Sequence, residues 1–255
     1  MTANLIIDGL SVYILVFSRM GGMLFFNPLL ARKNVPSQVR AALALGLTIL
    51  ITPTVPAPAE ELTDLVFIWM LCKELLVGAA FGFVFQIFYY LLFAAGDIID
   101  LGFGMSMAKA FDPGTNIQIS LSGNLFQILF VLYLFATNSH LVMIRLMASS
   151  YDIVGMGAVT FGADVGSFMF SLFSSAFQLI VQLCLPFLAA SFVLEISMGI
   201  LMKLIPQINV FSIHFQFKIL VGLLLLFLFA QPTAAFMEKY ISTMLASMQN
   251  LLGIV

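Results

Sequence analysis

Apolar residues run along this chain in blocks of about twenty or more, the length a helix needs to cross a bilayer, separated by short polar interruptions. The pattern predicts six hydrophobic helices, over residues 5–30, 37–55, 62–95, 117–147, 166–202 and 208–231. The third, fourth and fifth exceed a simple span. The second is short and closes on Pro53, Pro56 and Pro58, which cannot continue a helix. Long and short segments side by side predict broken or re-entrant helices packed on protein, and not six straight rods in lipid. Residues 233–252 read as an amphipathic helix, with Phe236, Tyr240, Met244 and Leu251 apolar and Glu238 and Lys239 solvated.

Two interruptions stand out. Between Gly96 and Asn116 the chain turns glycine-rich and carries Asp97, Asp100, Lys109 and Asp112. Flexible backbone and charge are costly beside hydrocarbon, so such a stretch is expected inside protein or along a water-filled path. The second interruption holds Gly155, Gly157, Gly162 and Gly166 with Asp152 and Asp164. It divides the chain into a front part, 1–151, a linker, 152–165, and a back hairpin with its amphipathic tail, 166–255.

Composition decides the class. With 62% hydrophobic and 9% charged residues and a mean hydropathy of +1.12, the chain cannot clothe a soluble surface. It is expected to be an all-α integral membrane protein. A net charge of −2 without a lysine or arginine run argues against nucleic acid as a partner. The segment Ala31–Arg40 holds Arg32, Lys33 and Arg40, whereas the next loop holds Glu60, Glu61 and Asp64, so the basic loop is expected in the cytoplasm and the N-terminus outside. The first block lacks a basic leader and a small-residue cleavage site, and reads as a retained helix. Cys72 and Cys184 lie far apart in apolar stretches without ligand spacing, so neither a disulfide nor a metal is expected.

Candidate chemistry is sparse. His140 and His214 are isolated, and no HExxH, GxSxG or GxxxxGK[ST] string occurs, so no catalytic residue, metal or cofactor is expected and energy would come from other components. Asp97 and Asp100 could share a helix face as an acid/base pair, but the adjacent glycines favour a solvated helix end. Arg19, Lys73, Glu74, Glu195 and Lys218 lie within apolar blocks, where each needs a partner or water. Pairing between helices or subunits is the first reading, with snorkelling or an ion relay as alternatives. Most of the 27 phenylalanines and 15 methionines fill apolar packing. Phe103, Met105, Met107 and Phe111 differ, because they sit in the glycine-rich break, where flexible apolar side chains could close a gap and exclude water.

Three further segments complete the picture. Asn27-Pro28-Leu29-Leu30 leads through Val35-Pro36-Ser37-Gln38-Val39-Arg40 into a helix. Gly96-Asp97-Ile98-Ile99, Gly104-Met105-Ser106 and Phe111-Asp112-Pro113 continue to Asn138-Ser139-His140-Leu141. Lys203-Leu204-Ile205 precedes Pro206-Gln207-Ile208-Asn209-Val210-Phe211, of which Pro206, Gln207, Asn209 and Phe211 are the most specific. In this order and over nearly the whole length, the chain resembles the FliR family of the flagellar type III export gate, which has counterparts in injectisomes.

The resemblance implies one FliR subunit joined to several copies of FliP-like and FliQ-like membrane proteins, with an FlhB-like subunit, around a channel for unfolded polypeptides. It implies bent helical hairpins partly lifted from the bilayer, in the bacterial inner membrane at the flagellar basal body. It also implies a front part like FliP and a back hairpin like FliQ. The family's channel plug matches Leu101–Asn116, making Gly102, Phe103, Gly104, Met105, Ser106, Met107 and Phe111 the candidate seal and Asp112-Pro113 its end. Lys109 departs from an apolar plug and could face channel water or pair with Asp100 or Asp112. The alternatives are an injectisome gate subunit, a secondary transporter using Glu74, Glu195, Asp97 and Lys218, and an intramembrane protease for which no residue geometry is nominated.

Overall fold

The computed structural model describes residues 2–30, 35–56, 64–107, 120–159, 162, 164–205 and 210–254. Regular structure among them is helical: α1 (Thr2–Phe26), α2 (Ser37–Ile51) with a 3-10 turn at Thr52–Thr54, α3 (Asp64–Gly102) followed by a 3-10 turn at Met105–Met107, α4 (Leu121–Ala136), α5 (Ser139–Ile153), α6 (Asp164–Leu204), α7 (Val210–Leu228) and α8 (Ala230–Leu252). Among the described residues three helices are long and apolar enough to cross a membrane, α3, α6 and the Gly9–Phe26 stretch of α1. The number rises to five if α4–α5 and α7–α8 each form one bent span. The chain is an all-α membrane protein. At 1.5 Å per residue α3 and α6 are each about 60 Å long, roughly twice the hydrocarbon thickness.

Several boundaries differ from the sequence pattern, each for a physical reason. The second helix stops at Ile51, because Pro53 lies in the 3-10 turn that follows. The expected break at Gly96 is absent. α3 continues through Asp97 and Asp100 to Gly102, since glycine weakens a helix without ending it and Ile98, Ile99 and Leu101 continue the apolar run. The expected helix 117–147 is two, α4 and α5, bent by 70° where Asn138 adopts left-handed φ of 56°. α7 and α8 bend by 62°. Pro232, in the first turn of α8, has no N–H to offer Leu228, while the Thr233 amide and hydroxyl both donate to Phe229 O, at 2.9 and 2.7 Å. Of the two cysteines in apolar stretches, Cys184 is buried and Cys72 is exposed.

The chain forms two compact units. The first comprises residues 1–88, 138–173 and 243–255. Here α1 and α3 cross backbone to backbone through Gly22 and a Gly78-x-x-x-Gly82 pair. A Cβ on Gly22 would lie 2.6 Å from Leu75 O, and one on Gly82 2.8 Å from Phe26 Cβ. The second unit comprises residues 89–137 and 174–242. Within it α3 and α4 meet at Gly96 and Gly123, so closely that a Cβ on Gly96 would overlap the Gly123 backbone.

Candidate functional site

The close crossing in the first unit sets Arg19, one turn before Gly22, beside Glu74, one turn before Gly78. Both side chains are wholly buried, at 0% exposure. Arg19 Nε donates to Glu74 Oε2 at 2.5 Å and Nη2 to Oε1 at 3.0 Å, a two-point pairing that matches guanidinium to carboxylate. The rest of the guanidinium reaches α5 and the chain after it: Nη1 donates to Ser150 Oγ at 2.9 Å and Nη2 to Val154 O at 3.3 Å. The Tyr151 ring covers the cation at 4.0 Å. Glu74 Oε1 also accepts from the Gly157 amide at 3.0 Å, and Lys73 Nζ donates to Gly157 O at 2.9 Å. Gly157 has φ of +72° and lies against Met70, which explains a glycine there. Arg19, Lys73 and Glu74 are thus engaged within the chain itself.

In the second unit the Gly96–Gly123 contact carries Asp100, one turn further along α3, to the start of α4. Asp100 is 1% exposed, so the expected solvated helix end is corrected. It accepts from Ser120 Oγ at 2.6 Å and from the Ser122 amide at 3.2 Å. Ser120 is in turn the N-cap of α4, its Oγ accepting from the Gly123 amide at 2.9 Å. A carboxylate behind a helix N-terminus is favoured by the exposed amides and the helix dipole. The role is structural and leaves no free acid/base pair.

Beyond Gly102 the chain leaves the helix. The Phe103 amide still donates to Ile99 O at 3.1 Å and the Gly104 amide to Leu101 O at 3.3 Å, after which Gly104 turns with φ of +73°. Phe103 is fully buried and Met105 nearly so. Both lie against Gly222 of α7, and Gly104 lies against Phe215. Ser106 Oγ is buried without a partner. Met107 belongs to the 3-10 turn, while Lys109, Phe111, Asp112 and Pro113 lie outside the described residues.

Elsewhere in this unit Lys218 of α7 forms an ion pair with Glu195 of α6, whose side chain is half exposed. Phe211 is the second residue of α7, and Pro206, Gln207 and Asn209 lie outside the described residues. Among the described residues no three His, Cys, Asp or Glu side chains gather as a metal would require. Ser150, Tyr151, Gly157 and Ser120 were not foreseen. Only Ser120 carried a signal, a capping residue ahead of an apolar run.

The sequence profile of the bacterial export proteins, family 1, matches residues 10–244. The chain is 27% identical over 255 residues to the flagellar biosynthetic protein FliR of Bacillus subtilis, covering 99% of this chain and 98% of that protein. It is 27% identical over 237 residues to FliR of Escherichia coli, covering 91% and 89%. It is 25% identical over 225 residues to FliR of Aquifex aeolicus, covering 84% and 83%.

Proposed function

The chain belongs to the bacterial export proteins, family 1, and on that premise we propose that it is a non-enzymatic subunit of the flagellar protein-export gate in the bacterial inner membrane. It works there with FliP-like and FliQ-like subunits and an FlhB-like protein, its front part taking the FliP-like place and its back hairpin the FliQ-like one. Residues Gly102 to Pro113 seal the channel until an unfolded polypeptide displaces them. The observation that carries the reading is the apolar Phe103-Gly104-Met105 segment, where the chain turns out of a 39-residue apolar helix, ahead of the capped start of α4. Apolar side chains at a constriction exclude water without any chemistry.

The transporter reading needs free intramembrane charges, and these are engaged: Glu74 with Arg19, Glu195 with Lys218. Deleting Gly102 to Phe111 in cells that carry the complete export apparatus tests the seal. Ion leak should rise, measured as sensitivity of growth and membrane potential. An unchanged leak, with the shortened chain present in the membrane, refutes the plug.

A further inference from the structure

We propose that α7 carries the seat of the sealing segment: the notch left by Gly222, with Phe215 two turns before it, receives Phe103 and Met105 and makes Gly222 a positioning residue of the gate. The inference rests on the plug reading and adds where the plug is held.

The seat follows from helix geometry. Residues 215 and 222 are seven apart, so they project from nearly the same side of α7. Gly222 is surrounded by Leu220, Val221, Leu223 and Leu224, and a glycine there lowers helix propensity for no local gain. What it provides is space. A Cβ at 222 would lie 2.7 Å from Phe103 Cγ, 2.8 Å from Met105 Cε and 2.9 Å from Phe103 Cβ. Gly199 of α6, in the same unit, would meet nothing within 4 Å. The two helical glycines are therefore not equivalent.

The segment is shaped to fit. Gly104, between the two seated side chains, holds φ of +73°, which L side chains rarely adopt, and a Cβ there would come 3.3 Å from the Phe215 ring. Lys218 lies between Phe215 and Gly222 along α7 and pairs with Glu195 of α6. One helix face thus offers an aromatic wall, then a gap, to an aromatic side chain, a turn and a methionine.

The test uses the whole export apparatus in cells. Overpacking a seated contact by one methyl group should shift the closed-to-open ratio by about ten-fold. Gly222→Ala should raise ion leak, Gly222→Val should raise it further, and Gly199→Ala should not. A second readout does not depend on flux: in a chain with Cys72→Ser and Cys184→Ala, a Ser106→Cys thiol, next to the seated side chains and with both of them intact, should react with a membrane-impermeant maleimide about ten-fold faster when Gly222→Ala is added. If both readouts stay at the parent level while the 102–111 deletion leaks, the seat is wrong and the plug stands. If the deletion does not leak, the plug reading falls and takes the seat with it. Loss of the chain from the membrane with both substitutions, without leak, assigns Gly222 to folding and overturns the positioning role.

Discussion

Replacing Glu74 with leucine isolates the polar node of the first unit. Both members of the ion pair are at 0% exposure, and Arg19 places four of its N–H groups on Glu74, Ser150 and Val154. Glu74→Leu leaves the guanidinium with the Ser150 hydroxyl, the Val154 carbonyl and the Tyr151 ring but no counter-charge, and removes the acceptor of the Gly157 amide. Breaking a buried pair by removing one partner costs about 3–5 kcal/mol, because the remaining charge is uncompensated. Arg19→Met should cost a similar amount, since the carboxylate keeps only the Gly157 amide.

Removing both charges is a different perturbation. In Arg19→Met/Glu74→Leu no unpaired ion remains, and the main orphan is the Gly157 amide, worth about 1–3 kcal/mol. The double variant should therefore be more stable than either single one, a coupling of at least about 3 kcal/mol. The assay is unfolding in mixed micelles with increasing SDS. Its reporter is the fluorescence of Trp69, the sole tryptophan, which lies on α3 with Lys73 Nζ 5.9 Å from its ring. A Glu74→Leu loss below about 1 kcal/mol, or a double variant no better than the singles, would refute the reasoning, since the pair would then be solvated or incidental.

Two further outcomes follow from particular residues. Asp100→Ala should leave the Ser120 hydroxyl and the Ser122 amide without their acceptor, costing about 1–3 kcal/mol, while Asp100→Asn keeps an oxygen there and should cost less. Faster amide exchange over the first turn of α4 in Asp100→Ala, and little change in Asp100→Asn, is the expected signature. At the 70° bend, Asn138→Gly should be neutral or stabilising, whereas Asn138→Val should cost about 1–2 kcal/mol in the left-handed conformation, read by the same SDS unfolding. Equal stability of the two variants would mean that the bend does not depend on the backbone conformation of this residue.

The hydrophobic pattern located the helices well and their ends less well, for one recurring reason. Helix ends here depend on contacts made across the fold. Gly96 looked like a place where the chain loosens, because glycine lowers local helix propensity. Its use is the opposite: without a side chain it lets α4 approach α3, and that approach buries Asp100 against the α4 cap. The intramembrane charges were legible as groups needing partners, but partner identity was not. Arg19 and Glu74 are 55 residues apart and meet only because Gly22, Gly78 and Gly82 bring two backbones together. The bend at Asn138 was illegible because the apolar pattern runs through it, and the decisive fact is one backbone angle.

On the proposed reading, the two ends of the sealing stretch are held by unlike forces, and the difference suits a gate. Beyond its far end, Ser120 is fixed by hydrogen bonds to Asp100, which demand donors in fixed geometry and are strengthened by the charge. On the α3 side the backbone of Phe103 and Gly104 stays bonded to the helix, and it is the side chains of Phe103 and Met105 that rest on apolar contact with Gly222, which is non-directional. An unfolded polypeptide carries apolar side chains of its own, so it can replace the contacts around Phe103 with others of similar worth. It offers no equally placed donors to Asp100. Displacement should therefore begin at the side chains of Phe103 and Met105, while Asp100 keeps its bonds to Ser120 and Ser122.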